Sequence, residues 1–169
     1  MSSLTQTVAA RGGLTLTSGP ARLSDIPAFA EHIRDEDRRE WVHGTGQSTM
    51  AKMMDAVGDP FAIARAIYRS DIEYPVVVWG AQPLAGNEQV AWVWLAATPE
   101  GYETVVGLHK LMPGEVQLLD AAFKRTITLA DVRNTDHLRW LRWMGFVPGE
   151  IVPTGPWAYP YQQFTRDRH

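Results

Sequence analysis

The chain has no cysteine. That excludes disulfides, thiolate zinc sites and a cysteine nucleophile, and it fits a reducing cytoplasm. No apolar run reaches the length of a signal peptide core or a membrane span, so no membrane partner is expected. Neither sign of charge dominates: 16 Lys and Arg stand against 19 Asp and Glu, for a net charge of −3. A general polyanion binder needs its Lys and Arg in excess on one surface, so sequence-specific nucleic-acid binding is not expected either. Also missing are G-x-S-x-G, the P-loop, H-E-x-x-H, and paired His or carboxylates at metal-ligand spacing. No metal site is expected.

What is present is ordinary globular composition with one bias. A chain of 169 residues, 45% hydrophobic and 21% charged, suffices for one domain with a proper core. Seven Trp exceed what such a core needs. Trp41, Trp140, Trp143 and Trp157 are therefore the candidate partner contacts. Residues 1–13, small, polar and ending in Gly, are expected to be a flexible arm, 14–165 a single domain, and 166–169 a frayed end.

The best-specified helix is Asn134 to Phe146, NTDHLRWLRWMGF. Asn134 suits the N-cap, and Asp136 places negative charge at the positive end of the helix dipole. Leu138, Leu141 and Met144 recur at helical spacing. Gly145 supplies a left-handed stop, and Phe146 can fold back onto Leu141 in a Schellman-type contact. Upstream, Thr126 to Val132 is β-branched and alternating, which predicts a strand feeding this helix.

This order of strand, Asn-started helix and Gly-Phe resembles the segment N-x-x-A-x-x-x-Y-x-x-x-G-F of the GNAT N-acetyltransferase superfamily. Asn134, Gly145 and Phe146 fall in place without a gap, while His137 stands at the Ala position and Leu141 at the Tyr position. In that superfamily the Tyr commonly protonates the departing thiolate of coenzyme A, and Leu has no proton to give. A closer resemblance spans roughly Pro20 to Phe164. The order VWGAQPL, AWVWLAAT, VRNTDHLRWLRWMGF is similar to a phage-encoded family of GNAT-like proteins, internal virion proteins of podophages. The resemblance implies an α+β fold with a mixed, mostly antiparallel central sheet of about six or seven strands flanked by helices.

Along the rest of the chain, Leu14 to Arg22 predicts an edge strand. Ser24 opens a helix carrying Ile26, Phe29, Ala30 and Ile33, and Ser48 opens another with Met50, Met53, Met54 and Val57 facing inwards. Between them, Asp35 to Glu40 (DEDRRE) suits a solvated face. By the resemblance, the helix after the first strand forms one wall of the acceptor site, and acetyltransferases with amine acceptors place carboxylates beside it, which makes Glu36, Asp37 and Glu40 candidate acid–base groups, with Trp41 and His43 near them. Ala62 to Arg69 is assigned to a strand. Tyr74 to Leu84 and Val90 to Thr98 form a hairpin, the second strand apolar on both faces and therefore central.

By the resemblance, that central strand ends beside pantetheine, and a Q/R-x-x-G-x-G/A loop then holds the pyrophosphate. Here the chain reads Pro99-Glu100-Gly101-Tyr102-Glu103, with one Gly and two carboxylates that repel phosphate, so the cradle is expected to be absent. Pro113-Gly114 is read as opening a helix through Lys124 whose first turn carries Glu115. The Pro-rich end is read as extended, with Tyr159, Tyr161 and Phe164 in a last strand.

Two functions follow. The first is a virion-associated protein, internal or head–tail, on a GNAT-like scaffold that does not transfer acetyl groups and needs no cofactor. It would be made in the host cytoplasm and would partner other virion proteins or copies of itself. The second is an acetyltransferase moving acetyl from acetyl-CoA to an amine. Its catalytic candidates are Glu36, Asp37, Glu40 and His137, and its cofactor candidates Trp94, Leu95, Ala96, Ala97, His109, Lys110 and Asn134.

Overall fold

The computed structural model describes residues 4–168. Its centre is an eight-stranded sheet. The strands are β1 (Gln6–Ala9), β2 (Thr15–Pro20), β3 (Ile63–Arg69), β4 (Pro75–Leu84), β5 (Asn87–Ala97), β6 (Arg125–Asp131), β7 (Val147–Thr154) and β8 (Tyr159–Asp167). They lie in the order β1-β2-β3-β4-β5-β6-β8-β7. Every neighbouring pair is antiparallel except β5 and β6, which run parallel.

Strand alternation divides the core between two faces. Val77, Trp79, Ala81, Val93 and Leu95 face one layer, and Ala66, Val78, Trp94 and Ala96 the other. Helices α1 (Ile26–His32) and α3 (Thr49–Gly58) cover the second face with Ile26, Phe29, Met53 and Ala56. The first is covered by α5 (Val105–Ala122) and α6 (Thr135–Trp143), through Leu108, Leu111, Leu119 and Leu141. Two further helices, α2 (Asp35–Thr45) and α4 (Pro99–Glu103), lie at the ends of the strands.

One charge cluster holds α5 to the sheet. Glu115, 0% exposed, accepts hydrogen bonds from Ser18 Oγ (2.7 Å), Arg65 Nε and Nη2 (both 3.0 Å) and Trp79 Nε1 (2.9 Å). Arg65 also donates to the carbonyl of Leu4 at 2.6 Å. A buried carboxylate is tolerable because each oxygen is saturated by donors and the charge is matched.

Several local expectations differ. The segment expected to be a loose arm supplies β1, whose residues 6–9 pair with β2, so it is tied into the sheet edge. At the other end Arg166 is nearly buried and ion-paired with Asp120, and β8 continues to Asp167, so 166–167 are not frayed; His169 lies outside the described residues. The PEGYE segment is helical. Pro113 lies inside α5 rather than opening it, because its exposed position costs one backbone bond while flanking buried turns hold the helix together. Glu115 is consequently in the core.

Helix α6 ends as expected. Gly145 takes φ +87°, and the Phe146 N–H donates to the Leu141 carbonyl at 3.0 Å. The β7–β8 hairpin turns through Gly155 and Ala158, the latter at φ +54°. Both sheet edges are blunt: β1 has four residues, while β7 carries Pro148 and Pro153 and shifts register between Pro148 and Ile151.

Candidate functional site

The sheet opens where its parallel strands part. β5 and β6 pair only from Val90↔Arg125 to Trp92↔Ile127, yet β5 runs on to Ala97 and β6 to Asp131. A cavity of about 160 Å³ lies on the α2–α3 side of this fork, lined by Glu40, Trp41, Trp92, Trp94, His137 and Tyr161 among others. A smaller one of about 20 Å³ lies on the α5–α6 side. Val93, Trp94, Leu95, Thr128 and His137 line both.

Beyond the fork, backbone groups of β5 point away from β4 and have no β6 ladder to join. Residues of the α2 segment meet them. The Ala97 N–H donates to Asp37 Oδ2 at 2.9 Å, the Ala97 carbonyl accepts from the Arg34 N–H at 2.9 Å, and the Leu95 carbonyl accepts from Trp41 Nε1 at 3.4 Å. Backbone groups taken from water need partners, and here α2 supplies them.

Behind these contacts lies a buried polar network. Asn134 Nδ2 donates to Asp37 Oδ1 (2.9 Å) and Glu40 Oε2 (2.8 Å). His137 Nδ1 lies 2.8 Å from Glu40 Oε1, and Tyr161 Oη donates to the Glu40 carbonyl. Arg34 stands at the rim, with Nη1 3.6 Å from Asp37, Nη2 3.2 Å from Asp136, and its guanidinium 3.7 Å from the Tyr102 ring centroid. Arg34 Nη1, Tyr102 Oη and Asn134 Oδ1 are buried without a hydrogen-bond partner among the described residues.

Burial raises the Asp37 pKa, reinforced by Glu40 and opposed by His137, Asn134 and the Ala97 amide. Burial by itself lowers the His137 pKa. The Glu40 carboxylate, through charge and hydrogen bond, together with Asp37, outweighs it, and the net shift is upward. Burial likewise raises the Tyr102 phenol.

Of the residues expected from sequence, Asp37, Glu40, His137 and Asn134 are brought together, whereas Glu36 stays half-exposed beside Arg34. The DEDRRE run is thus a helix with two carboxylates on its buried face, not simply a solvated one. Asn134 does not cap α6 with its side chain: its Nδ2 is turned to Asp37 and Glu40, and Oδ1, the atom a cap would use, accepts no hydrogen bond among the described residues. Trp94 to Ala97 line the fork, while His109 lies against Trp143 and Lys110 is exposed on α5, away from the network.

Two of the four candidate partner tryptophans are internal. Trp140 is 7% exposed and stacks on Tyr102, and Trp41 is half-buried, edge-on to Trp94. Both sit on the inward stripe of their helices. Trp143 (45%) and Trp157 (56%) are exposed. Sequence reasoning missed Arg34 and Tyr102 and gave Tyr161 only a strand role; the i,i+3 spacing of Asp37 and Glu40 was the available sign of a shared helix face.

No protein-family model matches the chain, and no curated protein sequence matches it. Solved structures do. The GNAT domain of PAT from S. lividans superposes with a TM-score of 0.71 over 96% of each chain at 13% identity. The chain has the GNAT fold. Ribosomal-protein-S5-alanine acetyltransferase from Vibrio fischeri matches at 0.65, 11% identity and 98% and 97% coverage. Mycobacterium smegmatis RimJ in complex with CoA-disulfide matches at 0.66, 14% identity and 96% and 86% coverage. The GNAT fold accounts for the mixed sheet and its forked parallel pair, here with eight strands.

The cofactor implied by the resemblance meets obstacles at two points. The β5 groups beside which pantetheine is expected are already bonded to α2. At the phosphate end, the Gly101 N–H turns back to Thr98 Oγ1 (3.3 Å), Pro99 has no N–H, and a Cβ on Gly101 would fall 2.5 Å from the Val76 carbonyl. Arg69, the nearby cation, is ion-paired with Asp71 and Glu103.

Proposed function

We propose that this GNAT-fold chain does not carry out acetyl transfer and serves as a structural or assembly component of a phage particle, internal or at the head–tail junction. The observation that supports the first half is the occupation of the fork by α2: Asp37, Arg34 and Trp41 bond the strand groups that an extended cofactor would need. Leu141, buried at the position where the superfamily's Tyr stands, adds no proton donor. Support for the second half is the sequence resemblance through VWGAQPL, AWVWLAAT and VRNTDHLRWLRWMGF. Trp143 and Trp157 are the exposed aromatic anchors available to a neighbouring protein.

A second reading, an acetyl-CoA-dependent N-acetyltransferase acting on an amine, is favoured by a different observation. The fork holds an imidazole oriented by a carboxylate, His137 on Glu40, lining both cavities, which is the arrangement of a general base. The solved structures of like fold include acetyltransferases.

Calorimetry with millimolar acetyl-CoA separates the two. No heat supports the closed fork, whereas micromolar binding lost on Asp37→Ala or His137→Ala supports the enzyme. Quantitative mass spectrometry of purified particles tests the assembly role, which requires a fixed copy number; presence only in the infected-cell lysate counts against it.

A further inference from the structure

Helix α2 is seated by a polar face. Its buried side chains are Asp37 and Glu40, whereas α1 buries Ile26, Phe29 and Ala30, and α3 buries Met53 and Ala56. What holds α2 is one apolar anchor, Trp41 packed edge-on to Trp94, and otherwise hydrogen bonding: Asp37 to Ala97 N–H, Asn134 to both carboxylates, His137 to Glu40, and Tyr161 to the Glu40 carbonyl. The helix is also bounded by joints. Ile33 and Arg34 are extended between α1 and α2, and Gly46 ends α2 at φ +72°. Elements with little apolar burial lie at the low end of local stability.

We propose that α2 is a pH-sensitive latch over the fork, seated while the His137 imidazole carries a proton and released as rising pH removes it.

The groups facing this network come from seven elements, including α3, whose Lys52 and Asp55 line the larger cavity with Glu40 and His137, and α5, whose Glu115 lines the smaller one with His137 and is held by Arg65. The α2 segment brings Glu36, Asp37 and Glu40, with Arg34 at its start; α6 brings Asp136 and His137; α4 brings Tyr102; and β8 brings Tyr161. From β6 and its following loop come Asp131 and Arg133, paired with each other, with Arg133 touching His43. With His137 protonated, the two buried carboxylates are matched by Arg34 and the imidazolium. Without that proton they are left to one guanidinium, itself shared with Asp136 and Glu36.

The seated state holds the His137 proton more tightly than the open chain. Its contribution is complete below the ordinary imidazole pKa and is lost as pH rises through the raised one. Burial shifts Asp37 upward as well, but both its oxygens accept hydrogen bonds in the seated state, so the switch is carried by His137. The latch does not depend on whether the fork takes a cofactor.

Hydrogen exchange on the full chain, corrected for intrinsic rates between pH 6 and 9, reads this directly. The α2 peptide should lose about tenfold in protection per unit of pKa difference, with α5 as an unmoved internal control. His137→Gln should flatten the slope, and Glu40→Gln should do the same. A constant α2-to-α5 ratio across the range in the wild-type chain overturns the proposal, as does an unchanged slope in a folded His137→Gln variant. If both variants fail to fold, the wild-type series decides.

Discussion

Replacing Glu115 by Gln keeps the shape of the core and removes one charge. The carboxylate accepts four hydrogen bonds, from Ser18, two nitrogens of Arg65, and Trp79. An amide offers one acceptor oxygen and presents an NH2 to donors on the other side. Arg65, itself nearly buried, then has no anion to match it. Breaking a buried pair from one side costs about 3–5 kcal/mol, a large share of the roughly 5–15 kcal/mol that holds a domain together. With a urea m-value of about 2 kcal/mol/M, the unfolding midpoint should fall by about 2 M, with m itself unchanged. The double variant Arg65→Met, Glu115→Leu should be less destabilised than the sum of the single losses, because it leaves no unpaired charge. A Glu115→Gln chain within about 1 kcal/mol of wild type would refute the view that this pair is electrostatically matched and dry.

Two further substitutions test other parts of the structure. Leu141→Tyr places a tyrosine in a packed site beside a cavity of only about 20 Å³. Calorimetric melting should show a loss of about 1–3 kcal/mol from overpacking, and a thiol-release assay with acetyl-CoA should show no gain; new turnover would contradict the closed fork. Ala158→Gly should stabilise by about 0.5–1 kcal/mol in urea titration, since the native φ of +54° is strained for Ala and free for Gly.

Local signals made much of the fold legible. Ser48 caps α3 by accepting from the Ala51 N–H, the β4–β5 hairpin turns where Gly86 permits it, and Gly145-Phe146 closes α6. The errors occur where the deciding partner is distant in sequence. Pro113 looks like a helix start because Pro is favoured in first turns, but the buried Leu108, Leu111 and Met112 hold the preceding turns to the sheet. Asp37 and Glu40 look like surface charge until Asn134 and His137, nearly a hundred positions away, arrive beside them. Asn134 has a local capping tendency, but its Nδ2 bonds to a long-range pair of carboxylates orient the side chain, and its Oδ1 makes no cap.

The blunt margins of the sheet limit how copies of this protein can meet. A four-residue strand at one end, and a strand interrupted by Pro148 and Pro153 at the other, offer no continuous row of amides for a neighbour to zip onto. Any contact between copies would have to use side-chain faces, such as those bearing the exposed Trp143 and Trp157. The sheet is thereby guarded against growing into cross-strand fibres.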